Sequence, residues 1–106
     1  MERTVLTAGT FDPITTGHLD IIRRAAEIFD EVVVAVYTNP AKKTMLDEGV
    51  RLSAVAAATS DMTNVRVVKG EGLIADFAKK LGACAIVKGV RNLKRIWLGR
   101  TEPYRE

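Results

Sequence analysis

The chain contains one cysteine, one histidine, one tryptophan and three prolines among 106 residues, and no apolar run in it nears membrane-spanning length. A single thiol excludes a disulfide framework and a cysteine metal cluster alike. Cys84 stands in the apolar run Ala83-Cys84-Ala85-Ile86-Val87. It reads as a buried packing residue in a reducing compartment. Met1-Glu2-Arg3 and the short apolar stretch ending at Gly9 lack a signal-peptide pattern, so the expected location is the cytoplasm. Aromatic residues make up only 6% of the chain and do not interleave with basic ones. Trp97 alone is a poor stacking platform, which argues against a nucleic-acid-binding surface.

With 47% hydrophobic and 27% charged residues the composition is that of an ordinary globular domain, large enough for one core. The net charge of +3 is unevenly distributed: residues 1–87 hold ten Lys/Arg against eleven Asp/Glu, and residues 88–106 hold six against two. A basic end suits phosphate-bearing partners, nucleotides included.

Periodicity gives an alternating pattern. Arg3 to Gly9 reads as a buried strand ending in a glycine turn, and Leu19, Ile22, Ala25, Ala26 and Phe29 recur at helical spacing over Thr16 to Phe29. Glu31 to Thr38 is rich in β-branched residues and reads as a second strand, followed by a polar loop from Asn39-Pro40. Asp47 is positioned to N-cap a second helix with Val50, Leu52, Val55 and Ala58 on its apolar stripe. A third strand over Asn64–Val68, a helix over Leu73–Leu81 closed by Gly82, and a fourth strand over Ala83–Val87 complete the series. Strand–helix alternation with short connections specifies an α/β fold, a Rossmann-like doubly wound parallel sheet. Ligands of such sheets sit outside the carboxyl ends of the strands. The segments of interest are therefore Gly9–His18, Asn39–Lys43 and Lys88–Arg91. The remainder, residues 92–106, has no sustained period and reads as a basic tail to a domain of residues 1–91.

The first segment, Gly9-Thr-Phe-Asp-Pro-Ile-Thr-Thr-Gly-His18, leaves a strand and enters a helix. Small residues there admit a ligand to the backbone, and helix-start amides attract anions. Gly17 leaves room for a triphosphate, and His18 can donate to a phosphate from the same helix end. This segment resembles the signature of phosphopantetheine adenylyltransferases, within the nucleotidyltransferases that share a (Thr/His)-x-Gly-His motif. Thr15-x-Gly17-His18, preceded by Pro13-Ile14, favours that branch over relatives with histidine at the position of Thr15.

The resemblance implies adenylyl transfer: the phosphate of 4′-phosphopantetheine attacks the α-phosphorus of ATP, giving dephospho-coenzyme A and pyrophosphate. It implies His18 as the catalytic residue and Thr10, Lys42, Ile74 and Lys88 as acceptor contacts. Thr10, Phe11, His18, Gly89, Val90 and Arg91 would hold the nucleotide. Lys42 falls in Asn39-Pro-Ala-Lys-Lys43, matching a lysine that contacts the reacting phosphates. Lys88 replaces the family's usual arginine, keeping charge without the bidentate fork. Magnesium is expected to arrive on ATP, with no protein metal site. A hexamer is expected from the family.

Gly70-Glu-Gly-Leu-Ile-Ala75 imitates a dinucleotide fingerprint, but Lys88 stands where the ribose-binding acid belongs, so it reads as a helix turn. The resemblance covers residues 1 to about 94, and the Ile-Ser-Ser-Ser-x-x-Arg motif of the family's continuation after Arg91 is not found in the sequence. The expectation is a sheet truncated after its fourth strand, with weak turnover or none. The runner-up reading is an impaired nucleotide-binding fragment.

Overall fold

The computed structural model describes residues 3–38, 43–88 and 96–97. Its elements, in chain order, are β1 (Thr4–Gly9), α1 (Thr16–Ile28), β2 (Glu31–Val36), α2 (Glu48–Ala58), β3 (Val65–Lys69), α3 (Ile74–Leu81), β4 (Ala85–Lys88) and β5 (Ile96–Trp97). They build one sheet of order β3-β2-β1-β4-β5. The four longer strands are parallel, with Thr4 opposite Glu31, Val5 opposite Ala85 and Val32 opposite Val65. The parallel Rossmann-like sheet is thus present as expected. A two-residue strand, β5, runs antiparallel on β4, where the sequence reading had the sheet ending.

β2 shows why the centre of the sheet reads as an unbroken apolar run. Val32, Val33, Val34, Ala35 and Val36 are all fully buried, because both faces of a parallel sheet are covered. Val32, Val34 and Val36 face Ile21, Ile22 and Ala25 of α1 and Val55 of α2. Val33 and Ala35 face the other way, packing with Leu6, Ile86 and Ala78 of α3. Each fully buried valine contributes roughly 1.5–3 kcal/mol, so β2 anchors both layers. Asn64 ties the start of β3 to the end of α1, its amide donating to the carbonyls of Ala26 (2.8 Å) and Phe29 (3.2 Å).

α3 stops at Gly82, whose φ of 73° is left-handed, and the Ala83 amide turns back to Ala78 O at 2.9 Å. From β1 the chain passes through α1 to β2 on one side, while β4 lies on the other side of β1. The strand order therefore reverses between β1 and β4, the position at which ligands of such sheets commonly sit.

Three expectations are corrected. Cys84 is exposed rather than buried. The strand begins only at Ala85, and Cys84 occupies the connection before it, donating its amide to Thr4 O. Val50 is exposed, because the inward stripe of α2 is Arg51, Val55 and Thr59 at a spacing of four. Asp47 does occupy the N-cap position, but its side chain makes no cap hydrogen bond.

Candidate active site

The turn between β1 and α1 is built around Phe11 and His18. Phe11 has a positive φ of 50° and is buried. Its ring folds back over Gly9, where a Cβ would already press on the ring at 3.3 Å, so the absent side chain at Gly9 sets the tightness of the turn. The other side of the Phe11 ring meets the imidazole of His18 edge-on, with centroids 5.0 Å apart.

Helix α1 then starts on a reciprocal cap. The Thr15 hydroxyl accepts from the His18 amide at 3.2 Å, and His18 Nδ1 accepts from the Thr15 amide at 3.1 Å. This is a capping box with histidine where glutamate or glutamine is usual. It also fixes the tautomer: with Nδ1 accepting, the proton of the neutral ring belongs on Nε2. Burial lowers the His18 pKa below its ordinary value, which favours that neutral ring. Among the described residues Nε2 has no partner, so an N–H donor is left available at the helix start. The amides of Thr16 and Gly17 precede the first intrahelical donor, Leu19 N–H, and add further donors there.

The turn is bound to the segment preceding α2. Asp12 accepts from the amides of Met45 (2.6 Å) and Leu46 (2.8 Å). Arg51 is 1% exposed and reaches four acceptors. Its Nε donates to Leu46 O (3.1 Å), its NH1 to Thr10 O and Tyr37 O (3.0 Å each), and its NH2 to Thr38 Oγ1 (2.7 Å). The Thr38 hydroxyl in turn donates a hydrogen bond to Glu48 Oε2 at 2.6 Å, and Glu48 pairs with Lys69 at 3.3 Å.

The model of the cytidylyltransferase-like family matches residues 6–105. The chain belongs to the cytidylyltransferase-like family. It is 50% identical over 91 residues to a phosphopantetheine adenylyltransferase of Haemophilus ducreyi, covering 86% of this chain and 56% of that protein. It is 51% identical over 86 residues to a phosphopantetheine adenylyltransferase of Symbiobacterium thermophilum, covering 81% of this chain and 53% of the relative. It therefore spans about half the length of these curated relatives. A lipopolysaccharide core biosynthesis protein from Thermoplasma volcanium shares the fold with a TM-score of 0.65 at 22% identity, over 81% of this chain and 73% of that one.

In this cytidylyltransferase-like chain, Thr10, Phe11 and His18 come together in one turn. Thr10 is partly buried, its carbonyl engaged by Arg51. Ile74 begins α3 at the same edge of the sheet, two strands away, with 39% exposure. Leu73 beside it is 72% exposed and lines an open groove together with Glu71, Asp76 and Phe77. The backbone of Lys88 ends β4, next to β1. Lys42, Gly89, Val90, Arg91 and the side chain of Lys88 lie outside the described residues, as does most of the 92–106 tail.

Asp12 and Arg51 were missed by the sequence reading. Asp12 sat inside the quoted motif without a role, since its partners are backbone amides more than thirty residues away. Arg51 did leave a signal: a charged residue four positions before Val55, on the stripe a helix buries. Among the described residues no three His, Cys, Asp or Glu side chains gather into a cation site. No described helix is long and apolar enough to cross a membrane.

Proposed function

We propose that this chain carries the nucleotide-handling part of a phosphopantetheine adenylyltransferase. It transfers the adenylyl group of ATP to 4′-phosphopantetheine, releasing pyrophosphate and forming dephospho-coenzyme A. The observation that carries this reading is the Thr15–His18 cap, which keeps a neutral Nε2–H donor at the helix start that follows the carboxyl end of β1. Two relatives of that name at 50% and 51% identity support the substrate assignment.

A phosphate nucleophile is already ionised near neutral pH, so the site needs no general base. Its work is alignment and charge stabilisation. His18 Nε2 and the amides of Thr16 and Gly17 donate to phosphate oxygens. Lys42 and Lys88 supply positive charge toward the acceptor, Arg91 toward the nucleotide, with Gly89 and Val90 bordering it. Ile74 contributes an apolar contact to the pantetheine arm. Magnesium bound to ATP would neutralise charge on its phosphates. The reaction belongs in the cytoplasm, with a hexamer as the working assembly.

The test is dephospho-coenzyme A formation from ATP, magnesium and phosphopantetheine, run beside ATP binding. Turnover that falls on the order of 100- to 1000-fold in His18→Ala supports the reading. Turnover that survives the substitution removes His18 from the mechanism. ATP binding without any product favours the runner-up, a nucleotide-binding fragment.

A further inference from the structure

We propose that Arg51, together with Asp12, is the positioning clamp of this site, a role that rests on the adenylyl-transfer reading above. The argument starts from where the bonds go. A buried arginine that served only the core would be satisfied by its own helix or by a nearby carboxylate. Among the described residues, every acceptor of Arg51 instead lies on a segment at the carboxyl edge of the sheet: Thr10 after β1, Tyr37 and Thr38 after β2, and Leu46 ahead of α2. Arg51 thus joins the two strand exits from which the nucleotide and acceptor contacts were drawn.

Two chains of contact lead outward from the guanidinium. Thr10 precedes Phe11, whose ring rests on the imidazole of His18, so fixing the Thr10 carbonyl fixes the wall against which His18 stands. Thr38 and Leu46 bracket the segment that carries Lys42, and Arg51 holds both brackets. Asp12 doubles the second attachment. Leu46 is gripped at its N–H by Asp12 and at its C=O by Arg51, and the Met45 amide is also taken by Asp12. Arg51 itself is too buried to reach a phosphate. It acts through the residues it holds.

The fork is essential to this role. Nε, NH1 and NH2 point at acceptors on different segments in a fixed plane, and a lysine ammonium has neither the spread nor the planarity to serve them together. Arg51→Lys therefore keeps a buried positive charge and a similar stem, but releases part of the clamp. Asp12→Asn, at a half-buried position, keeps the shape and turns an NH₂ toward an amide that needs an acceptor.

The chain has a single histidine, so histidine-specific ¹⁵N labelling reports one imidazole. The intact chain, Arg51→Lys and Asp12→Asn are titrated with Mg-ATP while ring nitrogens and thermal unfolding are followed. The parent is expected to show an acceptor-type Nδ1 signal that shifts with ATP. Both variants are expected to unfold cooperatively, to shift the ligand-free ring signal, and to bind ATP about tenfold more weakly or worse, as loss of one charge-assisted bond's worth of preorganisation would give. A variant that matches the parent in ring signal and ATP affinity overturns the clamp while leaving the functional reading intact. A parent ring untouched by saturating Mg-ATP overturns the functional reading and the clamp with it. If Arg51→Lys does not fold, Asp12→Asn decides alone: unchanged affinity sinks the proposal.

Discussion

The junction after β1 and the junction after β2 lead into helices on the same face of the sheet, and they are held in opposite ways. The first is short and carries its own restraints: Phe11 packs into the turn, and Thr15 and His18 cap α1 reciprocally. The second is longer and its N-cap residue, Asp47, makes no side-chain cap bond. What fixes it comes from elsewhere, through Asp12 from the first turn and Arg51 from within α2. A self-contained junction can present a chemical group at a set angle. A junction restrained by its neighbours can present a flexible group, such as a lysine, against that fixed frame.

The sharpest way to break this comparison is to exchange the cap residues for alanine. His18→Ala removes both the cap and the Nε2 donor, and initial rates of dephospho-coenzyme A formation should fall on the order of 100- to 1000-fold. Asp47→Ala should leave those rates within about twofold, since its side chain caps nothing. Equal losses in both variants would erase the distinction. Next in size is stability. Thr15→Ala deletes a cap oxygen that accepts at 3.2 Å and should cost about 1 kcal/mol in urea unfolding. Asp47→Ala should stay within about 0.5 kcal/mol, the usual range for surface positions.

The first junction was legible in the sequence because its restraints are local. A strand, a glycine and a helix start lie within ten residues, so pattern drew attention to the segment and to His18, and the family resemblance added Thr10 and Phe11. Strand–helix alternation likewise disclosed the parallel sheet, since β2 has to be apolar on both faces. The second junction was not legible. Arg51 binds carbonyls 5 to 41 residues away, and a carbonyl carries no side-chain signature. Val50 and Cys84 misled for a related reason. α2 starts after Asp47 as expected, but its inward stripe runs through Arg51 and leaves Val50 outside, whereas β4 starts two residues later than expected and leaves Cys84 in the exposed connection. β5 was missed because two residues set no period.

The two junctions should also lose their restraints in different pH windows. Burial lowers the pKa of His18 in the folded chain, while the unfolded chain titrates near 6.5. As pH falls, the unfolded chain takes up the proton first. The stability from this group is therefore complete above about pH 6.5 and declines as pH falls through the folded value. Protonation also places a hydrogen on Nδ1, opposing the bond from the Thr15 amide. His18→Gln keeps a capping-box side chain that does not titrate. Unfolding free energies of the parent and this variant should run parallel above neutrality, then diverge below about pH 6.5 with the parent losing more. Parallel curves down to pH 5 would mean that the imidazole does not titrate against its cap.

The smallest effect is expected at the far end of the second junction. The Thr38 hydroxyl bond holds the Glu48 carboxyl below its ordinary value of 4.5, with the pairing to Lys69 adding to it and partial burial opposing it. A lowered carboxylate pKa contributes stability that is present above the unfolded value and lost as pH falls through the folded one. Glu48→Gln retains an oxygen for Thr38 but gives up the charge facing Lys69. The variant should be slightly less stable than the parent at pH 7, with the gap closing as pH falls through the lowered folded value and the parent's carboxyl takes up its proton. The nucleotide affinity of Glu48→Gln should match the parent's, because Arg51 still finds the Thr38 oxygen at 2.7 Å in the arrangement described. A stability gap that does not narrow with falling pH would assign the contact at Glu48 to shape rather than charge. Weakened ATP binding in the same variant would extend the clamp outward from Arg51 through Thr38 to Glu48, and would make the second junction depend on a third strand exit through Lys69.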